Sequence, residues 1–440
     1  MSESAPALAR NVAAILRDAG ELVFLVGGCV RDRLLGLPVK DYDLATSAPP
    51  ARLLELFPHA LHVGAHFGVV LVRKEEAEVQ VATFRTDHAY RDGRRPEAVT
   101  FETDPRQDVV RRDFTINALL EDPFTGDVID HVNGLADLQA RTLRAIGDPA
   151  QRFQEDRLRL LRAIRFAARL DFSIEPRTWN ALVRLAPTIL SVSAERIRDE
   201  LSRVLTEGGA RRGFELLEAA GLLEILLPEI ARMKGVPQPP EYHPEGDVWT
   251  HTLLLLDNLP PHPALSLALA ALLHDVGKPP TFTVTDRIRF NGHASEGARI
   301  ARTILERLKY PGALIETVVS LVHNHMRFLD LPNMGSAARK RFFRIPHFDE
   351  QLELYRLDLL GGLRPADAYE HVRRMRASYE EHELRPPPLI TGQDLIDLGY
   401  PPGPLFKRIL ETVEEQQLEG VLTTRPDALD FVLRHFDRAG

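Results

Sequence analysis

The sequence predicts an α+β architecture, a head with a small mixed β-sheet followed by an all-helical body. Three observations carry this. Residues 1–145 hold short β-rich runs, Leu22–Val26, Phe67–Val72 and Glu78–Phe84, interleaved with helical segments. The last run, EVQVATF, alternates with period two, as a half-buried strand does. From about Asp148 onward almost every segment has helical periodicity and none reads as a strand.

The 440 residues suffice for two to four domains. Hydrophobic residues at 44% and charged residues at 27% exclude wholesale disorder. The formal charge of −8 means that any nucleic-acid binding must come from local basic clusters. A single cysteine excludes a disulfide framework and a cysteine-cluster zinc site, and fits a reducing cytoplasm. The longest apolar stretch, around Leu265–Leu273, is about half a membrane span, so no membrane partner is expected. The opening MSESAPALAR lacks a basic region followed by an apolar core, so no signal peptide is expected.

The segment Gly235–Asp247 carries four prolines in thirteen residues and reads as a linker. Eight of the sixteen histidines fall between His243 and His347. A second proline cluster, Pro386–Pro388, precedes a helical C-terminal segment. Boundaries near 147, 235 and 385 follow, giving a head at 1–147, a neck at 148–235, a body at 236–385 and a tail at 386–440.

In the head, a buried strand runs into Gly27-Gly28 and a helix begins at about Cys29. The glycines admit close backbone approach, and a helix N-terminus offers free N–H groups to phosphate; a plain tight turn is the competing reading. Asp41 and Asp43 flank Tyr42 at strand spacing, so both carboxylates project from one face. Two such anions call for a cation, and hard oxygen ligands suit Mg²⁺. An Asp-x-Asp a dozen residues after a strand–Gly-Gly–helix turn is a nucleotidyltransferase constellation.

At these residues the chain resembles the class II tRNA nucleotidyltransferases (CCA-adding enzymes) and the related bacterial poly(A) polymerases. GG-x-VRD-x-LLG with the aspartate pair is similar to that family's first motif, and Arg111–Ala118 (RRDFTINA) to the second. Asp122–Leu138 is similar to the third, Glu155-Asp156-x-x-Arg159 to the fourth and Ser193–Leu201 to the fifth. The resemblance implies catalysis by Asp41 and Asp43 through Mg²⁺, and nucleotide binding by Gly27, Gly28, Arg31, Arg112 and Asp113. It implies tRNA, CTP and ATP as partners and leaves the oligomeric state open. An A-adding enzyme or poly(A) polymerase is the same-class alternative.

The fourth motif also has a physical reading. Gln151–Leu170 has the pattern of one helix, on which Asp156 and Arg159 share a face. A carboxylate accepts and a guanidinium donates in a fixed plane, which suits the amino donor and ring acceptor that C and A both present. G and U place a carbonyl opposite the aspartate, a mismatch worth about 1–3 kcal/mol. An intrahelical salt bridge is the competing reading. Arg162 and Arg165 continue the face of Arg159 and suit a triphosphate laid along the helix. Phe84–Phe101, with its Asp92–Pro96 core DGRRP, resembles the family's flexible loop and argues against an enzyme restricted to adding two cytidines; a solvated hairpin is the competing reading.

In the body, His251, His274-Asp275 and Asp358 follow the ligand order of the HD superfamily of metal-dependent phosphohydrolases, which the segment resembles. His293 and His323 are the expected completion of a second metal position. Imidazole with carboxylate suits a divalent transition metal such as Ni²⁺ or Mn²⁺. A phosphohydrolase that uses the head only to grip RNA is the alternative of another class. The tail segment Pro388–Leu410, with Lys407 and Arg408, resembles the family's module that holds the tRNA elbow; a plain helical cap on the body is the competing reading.

Overall fold

The computed structural model describes residues 4–62, 68–90 and 96–437. They fold as two compact units, 1–231 with 307–309 and 232–306 with 310–440.

The first unit is built on a seven-stranded sheet. Its strands are β1 (Val23–Val26), β2 (Asp43–Thr46), β3 (Leu61–His62), β4 (Val69–Lys74), β5 (Ala77–Thr83), β8 (Leu120–Glu121) and β9 (Val128–Ile129), in the order β3-β4-β5-β2-β1-β8-β9. Within this sheet, among the described residues, β2 and β5 pair in parallel and the other neighbours are antiparallel. Strands β6 (Arg85–Tyr90) and β7 (Pro96–Phe101) form a separate antiparallel hairpin. The alternation of EVQVATF is realised in β5, where Ala77, Val79, Val81 and Thr83 are buried and Glu78 and Gln80 are exposed.

Helix Ala5–Asp18 covers one face of the sheet. Its Leu8, Val12 and Leu16, spaced four apart, meet Val23, Leu44, Val79 and Val81 in one core. Phe84, Ala45, Val26, Ala118 and Leu120 form a second core with Ile146. Apolar cores thus form on the strands of the sheet that carry Leu44 and Ala45, neighbours in β2 that point to opposite faces.

Two expectations for the neck need correction. Gln151–Leu170 is two helices, Pro149–Glu155 and Arg159–Leu170, with Asp156 extended at φ −139° between them. The apolar pattern runs through the break, but Asp156 turns out of the helix and its carbonyl accepts from the Arg159 N–H at 3.0 Å. The region after 148 also holds strands: β11 (Ser173–Ile174), paired with β10 (Thr142–Leu143) of the head, and in the second unit β12 (Phe282–Val284), paired with β13 (Ile288–Phe290). Runs of two or three residues are too short to leave a period-two signal.

The second unit is almost wholly helical. Leu265–Leu273 is apolar all round because seven of its nine residues are buried, so its hydrophobicity marks a central core helix. No helix among the described residues is long and apolar enough to cross a membrane. An aromatic cluster, in which Phe328 stacks on Tyr355 at 4.5 Å, fills the space between Leu331 and Phe348. The tail has its own core around Tyr400, Ile409, Val413 and Val432.

Candidate active sites

In the first unit, β1 ends at Gly27, whose φ of +77° is a conformation that side-chain-bearing residues resist. Helix Gly28–Leu34 starts at once. A Cβ added at Gly27 would lie 3.4 Å from Arg112 Nη1, and one at Gly28 would lie 3.5 Å from Arg31 Nη2. Two guanidinium groups therefore flank the glycine turn. Arg31 is buried, donating to Asp32 at 2.8 Å and to Asn117 Oδ1 at 2.5 Å. Arg112 donates two hydrogen bonds, at 3.1 and 2.8 Å, to Asp108 Oδ2.

Asp43 opens β2 and is half-buried; Asp41 precedes the strand and is exposed. Burial pushes the Asp43 carboxyl up, Arg112 pulls it down and Asp41 pushes it up again, with a net upward shift. A carboxylate held at this disadvantage beside a second one fits a divalent cation, which would remove the penalty on Asp43.

Asp113 links the second motif to the neck. Its Oδ2 accepts from Arg162 Nε at 2.8 Å and Nη2 at 2.6 Å, and its Oδ1 from the Phe114 N–H at 2.8 Å. Burial would raise this carboxyl, but Arg162 and Arg159 hold it far below the ordinary carboxylate range. Asp32 joins Arg31 to Arg169 of the neck, at 2.7 and 2.8 Å. The glycine turn, the second motif and the neck helix thus form one charged network.

Asp156 and Arg159 do not pair with each other. Asp156 accepts from Arg196 Nη2 at 2.8 Å and from the Leu158 N–H at 3.1 Å. Arg159 donates to Glu155 at 2.8 Å and to the carbonyls of Arg152 and Arg111 at 3.0 Å each. The salt-bridge alternative for this pair is absent, and each side chain is held by partners from elsewhere. Arg196 and Glu155 belong to the quoted fifth and fourth motifs, which was the available signal for them. Arg165, expected to face a triphosphate, is instead buried, held by Glu200 at 2.7 Å and Glu207 at 3.0 Å. Three-residue steps drift by about 60° each around a helix of 3.6 residues per turn, so Arg165 stands away from the face of Arg159 and meets Glu200 of the Ala194–Thr206 helix. The core DGRRP of the expected loop lies, but for Pro96, outside the described residues.

In the second unit, His251 lies on helix Val248–Asp257, His274-Asp275 closes Leu265–Leu273, and Asp358 lies on Phe348–Gly361. His251 Nε2 is 3.0 Å from Asp358 Oδ1, and His274 Nε2 is 3.1 Å from Asp275 Oδ2. The other oxygen, Asp275 Oδ1, faces His293 Nε2 at 3.6 Å and His325 Nε2 at 3.7 Å. Asp275 therefore looks both ways, into His251, His274 and Asp358 on one side and His293 and His325 on the other.

His325 takes the place expected of His323, which is exposed. The two stand either side of Asn324 at the end of helix Gly312–Asn324, where the chain turns inward at His325. Sequence reasoning also missed Glu245 and His243, which lie against His251. Gly277 makes the assembly possible, since a Cβ there would sit 2.1 Å from the His293 carbonyl oxygen.

The buried polar atoms fit a metal. His274, His293 and His325 each place Nδ1 against the carbonyl three residues earlier, at 2.9, 2.8 and 2.7 Å. A carbonyl only accepts, so each Nδ1 carries the proton and each neutral Nε2 points a lone pair into the cluster. The His293 and His325 Nε2 atoms face each other at 3.3 Å. Burial holds His325 down at about 4, so it is neutral near pH 7. His274 Nε2 and both Asp275 oxygens are buried without a hydrogen bond, although Lys278 Nζ approaches Oδ2 at 2.7 Å as an ion pair. Around Asp275 Oδ1 the facing Nε2 acceptors of His293 and His325 have no donor between them, which is what a cation satisfies.

Known proteins match in the same order as these sites. The Poly A polymerase head domain matches residues 23–144, the probable RNA and SrmB-binding site of polymerase A matches 171–234, and the HD domain matches 247–372. The CCA-adding enzyme of Lactobacillus gasseri is 30% identical over 428 residues, covering 94% of this chain and 93% of its own length. The chain belongs to the CCA-adding enzyme family. The family member from Enterococcus faecalis is 44% identical over 199 residues, 44% of this chain. That match spans about half the relative's length, 49%. A solved structure of the family, the Bacillus stearothermophilus CCA-adding enzyme in complex with CTP, aligns with a TM-score of 0.73 at 26% identity, over 97% of this chain and 96% of its own.

Proposed function

We propose that this chain adds C, C and A to the 3′ end of tRNA from CTP and ATP without a nucleic-acid template, releasing pyrophosphate. The single observation that carries this is the continuous charged network from the Gly27-Gly28 turn through Asp113 and Arg162 to the Asp156–Arg159 segment. We assign residues 1–147 to the catalytic head, 148–235 to the neck that selects the base, 236–385 to the HD body and 386–440 to a tRNA-binding tail. A cytoplasmic location fits the single, buried Cys29.

Asp41 and Asp43 would hold Mg²⁺, whose chemistry there is to neutralise charge at the reacting phosphate and activate the tRNA 3′-hydroxyl. Arg112, beside the glycine turn, holds the triphosphate, and the buried Arg31 braces that turn through Asp32 and Asn117. Asp156 presents a carboxylate fixed by Arg196, and Arg159 a guanidinium anchored by Glu155 with donors left for a base. Fixed in this way, the pair accepts the edges of C and A and rejects those of G and U. No protein nucleophile is needed.

In the second unit, His251, His274, Asp275 and Asp358 would hold a transition metal such as Ni²⁺ or Mn²⁺, with His293 and His325 at a second position across Asp275. Such an ion supplies an activated water for hydrolysis of small phosphoesters such as cyclic nucleotides. The test is incubation of tRNA lacking its 3′ end with each labelled nucleotide in turn, products being sized on a gel. Addition of C, C and A supports the proposal; incorporation of A alone overturns it in favour of an A-adding enzyme or poly(A) polymerase.

A further inference from the structure

We infer that the proline-rich segment Gly235–Asp247 is a working part of the HD centre, with Glu245 as the positioning residue that fixes His251 for its metal. The inference rests on the metal reading above. Three of the four inward-facing imidazoles are oriented by a carbonyl three residues earlier. His251 lies inside a helix, where carbonyls serve the helix itself, so its Nδ1 needs another acceptor. Glu245 Oε1 supplies it at 2.6 Å.

The Glu245 side chain is 2% exposed, and its Oε2 is buried with no hydrogen-bond partner among the described residues. A carboxylate so far from water is retained only against a compensating charge or donor. With Nδ1–H donated to Glu245, the His251 Nε2 is left to face Asp358 at 3.0 Å, and the carboxylate strengthens it as a ligand. The same segment makes a second contact beside the cluster, where Gln238 Oε1 accepts from Lys278 Nζ at 2.6 Å. That ammonium is the one beside Asp275.

His243, Glu245 and His251 also lie close enough to hold an ion themselves. A neutral imidazole has one lone pair, however, and the shared position with His274 and Asp358 takes the one on Nε2. Glu245 therefore acts through His251 and not as a ligand.

The test uses the full chain, stripped of metal and titrated with Ni²⁺ alone by calorimetry, with the visible spectrum of bound Co²⁺ as a second readout. Glu245→Gln keeps an acceptor oxygen without the charge, and Glu245→Leu keeps neither. Affinity should fall by about 10- to 100-fold for Leu, with Gln between, and the Co²⁺ spectrum should shift. The number of ions at saturation should stay the same, and nucleotide addition reports that the chain is folded. If Glu245→Leu does not fold, Glu245→Gln decides alone. Parental affinity and spectrum in Glu245→Gln would overturn the inference, as would loss of one whole ion equivalent, which would make Glu245 a ligand. A parent chain that binds no Ni²⁺ would instead overturn the metal reading beneath it.

Discussion

Removing either side of the Asp113–Arg162 pair should have unequal costs. The Asp113 side chain is 7% exposed and that of Arg162 31%. Arg162→Ala strands a buried carboxylate, which costs about 3–5 kcal/mol of unit stability. Asp113→Asn leaves a guanidinium that water reaches, and the amide oxygen still accepts from the Phe114 N–H. That loss should be nearer ~1–3 kcal/mol. The sign with pH follows from the direction of the shift. Asp113 is depressed in the folded chain, so its contribution is complete above the unfolded carboxyl value, about 3.9, and is lost as pH falls through the lower folded one. The gap between parent and Arg162→Ala should therefore be constant near neutrality and narrow below about pH 4. The chain has two tryptophans, Trp179 in the first unit and Trp249 in the second. Guanidinium unfolding followed by Trp179 fluorescence in a Trp249→Phe background isolates the relevant unit. An Asp113→Asn loss equal to that of Arg162→Ala, or a gap unchanged from pH 7 to pH 3, would refute the reasoning.

Asp41→Ala or Asp43→Ala should abolish addition of both C and A while tRNA binding persists; incorporation within about tenfold of the parent would sink the assignment, since metal-held phosphoryl transfer loses far more without its ligands. Asp156→Ala should relax the choice among the four nucleotides, and Arg196→Ala should do so partially, because the carboxylate remains but is no longer held. Competition assays with mixed labelled nucleotides measure both, and full discrimination in both would contradict the template role. His325→Ala should lower the metal content of the second unit whereas His323→Ala should not, as read by elemental analysis. Gly277→Ala should disrupt that unit by at least ~1–3 kcal/mol, because the new methyl meets backbone on the His293 helix; a thermal scan showing the parental transition would refute the packing argument.

Where one residue alone determines local geometry, the sequence was sufficient. The alternation of β5 and the glycine turn are such cases, whereas His251, His274-Asp275 and Asp358 were picked out by resemblance and lie together in the structure. Features set by a distant partner were not legible. The break at Asp156 is stabilised by Arg196, forty residues away, and nothing in the apolar pattern of Gln151–Leu170 announces it. Arg165 looked like a phosphate ligand because helical spacing put it in line with Arg162; two glutamates from the neighbouring helix claim it instead. His323 and His325 differ only in which side of a helix end they occupy, and that depends on where the helix stops. Glu245 was hidden because prolines mark a connector, and a connector's side chains carry no periodicity from which to read their direction.

The three imidazoles tied to their own i−3 carbonyls have a consequence for which ions the cluster accepts. Each ring is already frozen, so capturing an ion removes little rotamer freedom, where a loose side chain loses about 0.5–1.5 kcal/mol on being immobilised. Stiffness that favours capture also limits accommodation. Rings locked to the backbone would follow an oversized ion only if their helices moved, so a cation held here would be selected by radius and preferred geometry. Such selectivity would reside in backbone spacing, and changes that shift Ala271, Phe290 or Val322 should alter the preferred ion without touching a ligand.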